Sequence, residues 1–254
     1  MIVRAVLCDI YNTLLEVGPP PTDAEARWAQ LCAAHRAGPR LSLEEFASAS
    51  EQLIAREHAV ARARGIAFPE IYWPHVAVGV LPELRQLSPA ALDDFLFAHA
   101  QLQRTLGLLP DAAETLFALA QAGVLLGLVS NCQPYTLREL DLELARAGLR
   151  RDLFRPALCF FSFQAGFSKP DPHVFRWSAA RLRAFDIPPT EALMVGDRLD
   201  NDLEPARMQG FQAWHLASQP DQTHGGRWPE LLKHLRSQEV SRLSADLPLP
   251  HERL

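Results

Sequence analysis

Residues 2–13 read IVRAVLCDIYNT, and the reading of this stretch decides the fold. Ile2 to Cys8 is a short apolar run with one charge, the pattern of a strand buried on both faces of a parallel sheet. Asp9 follows at once, so a carboxylate stands at the carboxyl end of that strand. In open α/β sheets that edge is where ligands bind.

Working outward, prolines at 19 to 21 interrupt the chain, and from Asp23 to about Gln103 the pattern is helical, rich in Ala, Leu, Glu and Arg. Helices are expected over 23–36, 42–64 and 89–105, with Ser42 and Ser88 as N-caps and Gly65 as a C-terminal stop. The stretch 68–82 reads as irregular or a short helix. From Pro110 the pattern alternates: helix 111–122, strand 124–130, helix 134–147, a strand near 157–161, helix 172–185 and strand 192–196. A helix at 201–209 ending at Gly210, a strand at 211–216, a closing helix at 228–238 and an extended tail near 247–250 complete the reading. This is βαβ logic. The fold expected is α/β, a Rossmann-like parallel sheet core (residues 1–15 plus 107–254) interrupted after its first strand by an all-helical cap domain (16–106).

Composition permits this and excludes other classes. The 254 residues are 48% hydrophobic and 22% charged with a formal net charge of -5, ordinary for a globular chain. No cluster of Lys or Arg builds a field for nucleic acid or anionic lipid; Arg36, Arg40, Arg56, Arg62 and Arg64 are scattered among acids and alanines. The N-terminal apolar stretch is too short for a signal peptide, and no window suits a membrane span. Cys8, Cys32, Cys132 and Cys159 lack paired spacing, which suits reduced thiols in the cytoplasm. Neither nucleic acid nor membrane is expected as a partner, and the chain is read as a monomer or homodimer.

The residues after each expected strand form a coherent set: Asp9-Ile10-Tyr11-Asn12-Thr13, Ser130-Asn131, and Gly196-Asp197-Arg198-Leu199-Asp200-Asn201-Asp202, with Lys169 in Ser168-Lys169-Pro170-Asp171-Pro172. A carboxylate can attack phosphorus or carbon without a base to deprotonate it. The Ser130 hydroxyl and the Asn131 N–H can hold phosphoryl or carboxylate oxygens. Lys169 supplies a point positive charge, and carboxylates at 9, 197 and 202 are hard ligands suited to Mg²⁺.

In this order the four segments resemble the motifs of the haloacid dehalogenase superfamily. The resemblance implies Asp9 as nucleophile, Ser130, Asn131 and Lys169 as holders of the transferred group, and a Mg²⁺ site of Asp9, the Tyr11 carbonyl and Asp197, with Asp202 behind them. Asp200 matches no motif position and reads as a surface acid. One position departs from the phosphatases of that superfamily: where they carry a second Asp two residues after the nucleophile, this chain has Tyr11. A phenol with an ordinary pKa near ~10 is a weak acid and a poor base at neutral pH, and losing acid-base help costs on the order of 10² to 10⁴ in rate. Tyr11 is also what the metal-free 2-haloacid dehalogenases carry, whereas Asp197 and Asp202 argue for a cation.

The expectation is therefore a Mg²⁺-dependent phosphatase of a small phosphorylated metabolite, working through an aspartyl-phosphate with altered acid-base chemistry. The alternatives are a 2-haloacid dehalogenase, for which Arg36 or Arg40 could hold halide, and a degenerate member that binds without turnover. The cap should cover the strand ends and carry substrate choice. Its aromatics Trp28, Phe68, Tyr72 and Trp73 read as packing, and His35, His58, His75 and His99 lack metal-ligand spacing.

Overall fold

The computed structural model describes residues 3–35, 41–217 and 225–245, with the backbone alone over 238–245. Arg36, Arg40 and the tail at 247–250 lie outside the described residues.

In chain order the elements are β1 (Ala5–Cys8), β2 (Leu15–Gly18), α1 (Ala24–Ala34), α2 (Leu43–Ala63), α3 (Trp73–Val80), α4 (Pro89–Gln103), β3 (Thr105–Leu108), α5 (Ala112–Gln121), β4 (Leu125–Ser130), α6 (Pro134–Arg146), β5 (Phe160–Phe161), α7 (Ser162–Ala165), α8 (Pro172–Arg183), β6 (Ala192–Gly196), α9 (Glu204–Met208), β7 (Gln212–Leu216), β8 (Gly225–Gly226) and α10 (Trp228–Ala245). The main sheet has the order β5-β4-β1-β6-β7-β8, with every pairing parallel. β1 is central, its Cys8 level with Leu128 on one side and Val195 on the other. The chain therefore runs to one side of β1 and later to the other, which opens a crevice at the carboxyl ends of β1, β4 and β6.

Side chains alternate between two cores because successive residues of a strand point to opposite faces. Val6, Cys8, Leu126, Leu128, Leu193 and Val195 pack on one face, and Ala5, Leu7, Val129, Ala192 and Met194 on the other. Both faces are covered, so the strands carry no polar alternation. A third core belongs to the cap helices, around Trp28, Phe46, Leu81, Leu84, Phe95 and Leu102. The expected α/β sheet with helical insertion is what the chain forms.

Local signals at the cap helices hold. Ser42 accepts from the Glu45 N–H and Glu45 reaches back to the Ser42 N–H, a reciprocal cap; Ser88 accepts from Ala91 N–H at 3.2 Å. Gly65 takes φ +93 after α2, a backbone state that costs glycine little. Trp28 is buried and Trp73 partly so, but Phe68 and Tyr72 are exposed and do not pack as expected.

Other expectations are corrected. The helix set at 89–105 stops at Gln103 because Arg104 is extended, and 105–108 pairs antiparallel with 15–18. Neither strand of this ribbon was expected, and the boundaries placed after residues 15 and 106 fall inside it. The strand near 157–161 shrinks to two residues, since Pro156 starts a 3₁₀ turn over Pro156–Leu158. The helix at 201–209 opens as a wide π turn over Leu199–Leu203 before α9. The 68–82 stretch, read as irregular or a short helix, does hold a short helix, α3, whereas the last helix extends past 238 to 245. Among the described residues no helix is long and apolar enough to cross a membrane.

Candidate active site

β1 delivers Asp9 into the crevice, its N–H bound to the Val195 carbonyl at 3.0 Å. The following loop turns sharply: the N–H groups of Leu14 and Leu15 both donate to the Ile10 carbonyl at 2.8 Å, and Asn12 sits at φ +54. β6 delivers Asp197, and the π turn carries Asp202 back under it. Gly196 permits this return, because a Cβ there would lie 2.5 Å from the Asp202 carboxylate, well inside contact distance.

Lys169 ties these acids together. Its Nζ donates to Asp9 Oδ1 at 2.7 Å and to Asp202 Oδ1 at 2.5 Å, with the ammonium buried. Burial alone would push this lysine down, but Asp9 and Asp202 together hold it above its ordinary value. Burial pushes Asp202 up to about 6 despite the Lys169 charge, with Asp9 adding to the rise. Asp197 also lies above the usual carboxylate range, first through burial and then through Asp9. Oxygens of Asp9, Asp197 and Asp202 lie within 4.8 Å of one another. Three carboxylates face a single ammonium here, so when ionised they leave a surplus of negative charge that a divalent cation would balance. The donor set is all oxygen, as Mg²⁺ prefers.

The position of Lys169 is fixed from β4. The Asn131 side chain donates to the Lys169 carbonyl at 2.9 Å and accepts from its N–H at 2.8 Å. Asn131 thus acts on Lys169 through its side chain, a contact its position in the sequence did not suggest. Ser130 Oγ is buried without a hydrogen-bond partner among the described residues, as is Thr13 Oγ1. Buried hydroxyls of this kind are costly unless something comes to meet them.

Tyr11 turns aside. Its hydroxyl donates to Glu139 Oε2 at 2.5 Å, accepts from Arg104 Nη2 at 2.5 Å and lies 2.9 Å from Thr136 Oγ1. Burial, followed by the Glu139 carboxylate, raises the phenol far above its ordinary value in spite of Arg104, so it stays neutral. Arg104 also donates to both Glu139 oxygens at 3.0 and 3.2 Å and lies over the Tyr11 ring at 4.4 Å. Gln101, from α4, donates to Glu139 at 2.9 Å. Asp200 is exposed and paired with Arg198 at 2.7 Å, a surface acid as expected.

The cap closes on this edge through a few polar bonds. The Glu70 N–H meets the Gly166 carbonyl at 3.1 Å, and the Ser168 N–H meets Phe68 O at 2.9 Å. Gln133 accepts from Trp73 N–H at 2.8 Å and donates to Ile71 O at 3.0 Å. Glu70 takes the Ser162 hydroxyl at 2.6 Å; burial raises its carboxyl even so. Between cap and core remains a cavity of about 200 Å³ walled by Tyr11, Glu70, Arg104, Asn131, Tyr135 and their neighbours.

Sequence reasoning missed Arg104, Glu139, Glu70 and Gln133. One signal existed for Glu139: it falls on the inner stripe of α6 with Thr136, Leu140, Glu143 and Leu144, all buried, where an acid needs a partner. Arg104 gave none, being the first residue past a helix.

The family model described as haloacid dehalogenase-like hydrolase matches residues 3–210. A phosphoserine phosphatase of Thermus thermophilus is 36% identical over 126 residues, 50% of this chain and 47% of that one. The chain therefore matches about half the length of that relative. A glyceraldehyde 3-phosphate phosphatase of Methanopyrus kandleri is 28% identical over 212 residues, 82% of each chain. A solved 2-haloacid dehalogenase from Pseudomonas syringae superimposes with a TM-score of 0.61 at 22% identity, covering 93% of this chain and all of that one; at that identity the likeness is one of fold.

Proposed function

Since the chain belongs to the haloacid dehalogenase-like hydrolase family, we propose that it is a Mg²⁺-dependent phosphatase of a small phosphorylated metabolite, with Asp9 as nucleophile. The observation that carries this is the cluster of Asp9, Asp197 and Asp202 around one lysine. Phosphatase relatives support the substrate class.

Asp9 would attack phosphorus in line with the leaving oxygen, forming an aspartyl-phosphate as the P–O bond to the alcohol breaks; water then attacks that phosphorus, releasing phosphate and restoring Asp9. Ser130 Oγ, buried and unpartnered, is available to donate to a phosphoryl oxygen. Lys169 offsets charge on Asp9 and on the group in transfer, and Asn131 fixes its backbone. A Mg²⁺ held by Asp9, Asp197 and the Tyr11 carbonyl, with Asp202 behind, would supply the positive charge that lets one anion attack another. The Tyr11 phenol, neutral and bonded to Glu139, gives no proton to the leaving oxygen, so substrates with good leaving groups should turn over faster.

Purified protein should release phosphate from an aryl phosphate in Mg²⁺, and EDTA should abolish the release. Asp9→Asn should lower the rate by on the order of 10³ or more; undiminished release from that variant would exclude Asp9 as nucleophile. A second reading, a 2-haloacid dehalogenase, is favoured by Tyr11 and by a dehalogenase among the relatives, and chloride release from 2-chloropropionate without metal would establish it. The four cysteines lack the paired spacing of a disulfide or zinc framework, and we propose a cytoplasmic enzyme, a monomer or homodimer.

A further inference from the structure

We infer that the leaving group this site accepts is small, polar and uncharged, an alcohol or carbonyl compound of a few carbons, and that a second anionic group is refused. The inference rests on the phosphatase reading and takes the cavity beside Tyr11 as the place of the leaving group.

Size is the first restriction. The cavity holds about 200 Å³, less than the roughly 300 to 1,000 Å³ of sites for drug-sized ligands. Its walls are mostly polar, which favours a polar occupant over a plain alkyl one.

Charge is the second. A carboxylate or second phosphate on the leaving group would need a cation on this wall. Arg104 is the cation present there, and both Glu139 oxygens already hold it at 3.0 and 3.2 Å, with the Glu139 side chain 1% exposed. The rings of Tyr11 and Tyr135 flank it at 4.4 and 5.8 Å. Lys169, whose backbone Asn131 fixes, does not line this cavity and is held between Asp9 and Asp202. The Arg104 charge is thus already matched by a buried carboxylate, and an anion added to this wall would bring a second negative charge to a cation that balances only one, with its own hydration lost on entry. Glu70, the other acid of the wall, would repel it further.

An uncharged oxygen meets no such barrier. Arg104 Nε is buried without a hydrogen-bond partner among the described residues, a spare donor for a hydroxyl or carbonyl oxygen. The wall thus offers a donor where it offers no free charge, and the ion pair that excludes anions also keeps that donor in place.

The test uses two ligands of the same carbon count, glycerol 3-phosphate and 3-phosphoglycerate, titrated calorimetrically into Asp9→Asn protein with Mg²⁺ so that turnover does not interfere. Glycerol 3-phosphate should bind about tenfold tighter or more, the scale expected when like charges are set together. Equal or tighter binding of 3-phosphoglycerate overturns the inference and leaves the phosphatase reading intact. If neither binds while the wild type hydrolyses an aryl phosphate, the cavity is not the leaving-group site and the inference again falls alone. If aryl phosphatase activity is missing too, the reading beneath it falls as well. Glu139→Gln added to Asp9→Asn frees the Arg104 charge and should narrow the ratio between the ligands. An unchanged ratio in that folded variant would remove Arg104 and Glu139 from the explanation; should it fail to fold, the comparison in Asp9→Asn decides.

Discussion

Asp9 and Tyr11 stand two residues apart on one loop, yet their side chains serve different parts of the molecule: Asp9 meets Lys169, whereas Tyr11 meets Arg104 and Glu139. Tyr11→Phe should therefore leave kcat for an aryl phosphate within about threefold of wild type, while removing a hydrogen bond to a charged group worth roughly 1.5 to 3 kcal/mol of stability. A fall in kcat beyond tenfold would show the hydroxyl acting on substrate. Tyr11→Asp should do the opposite to the chemistry, raising the rate on alkyl phosphates by tenfold or more where acid-base help is what is missing; no rise would count against that account. Asp9, Ser130 and Asp197 were legible because each closes or directly follows a strand whose apolar run is plain, and Lys169 because it stands in the Ser168-Lys169-Pro170-Asp171-Pro172 segment just before α8. The sequence showed Tyr11 as a departure but not where the phenol points, since its partners lie 93 and 128 residues away.

Elements with strong local signals were legible, and those made by distant pairing were not. α2 and α4 announce themselves through Ser42 and Ser88, and β1, β4 and β6 through buried apolar runs. β2 and β3 are four residues each and exist through their mutual register, so neither carries its own signal. Within the cap, His99 stacks on Trp73 with ring centroids 5.7 Å apart and is buried beside Trp28 and Phe46. Burial, with Arg104 adding, lowers its pKa to about 4 from 6.5, so the folded cap resists charging it. The stability this provides is whole above pH ~6.5 and declines as pH falls toward 4, by about 3 kcal/mol. Thermal unfolding followed from pH 7 to pH 4 should show wild type losing more stability than His99→Phe; parallel declines would refute the assignment.

At the scale of the whole molecule, the sheet-and-cap architecture could be read from the change of pattern at Pro110, but the way the cap rests on the core could not. Part of that contact is made by backbone groups around Phe68 and Trp73 meeting Gly166, Ser168 and the Gln133 side chain, and backbone bonding leaves no trace in residue type. Gln133→Ala should speed hydrogen exchange at the Trp73 amide and raise KM, with the amides of β1 and β6 unchanged; unaltered exchange at Trp73 would mean that the cap is held by other contacts. The ribbon of β2 and β3 has a further consequence. Gly18 and Thr105 sit opposite each other in it, so the polypeptide departs for the cap and comes back at adjoining points, as in a hairpin whose tip has been greatly enlarged. A two-residue turn could close that hairpin, and long excursions between fixed ends carry only a modest entropic burden. The cap is in that sense a removable cassette, and transplanting another between the same two residues could change the clientele of the enzyme while sparing its chemistry.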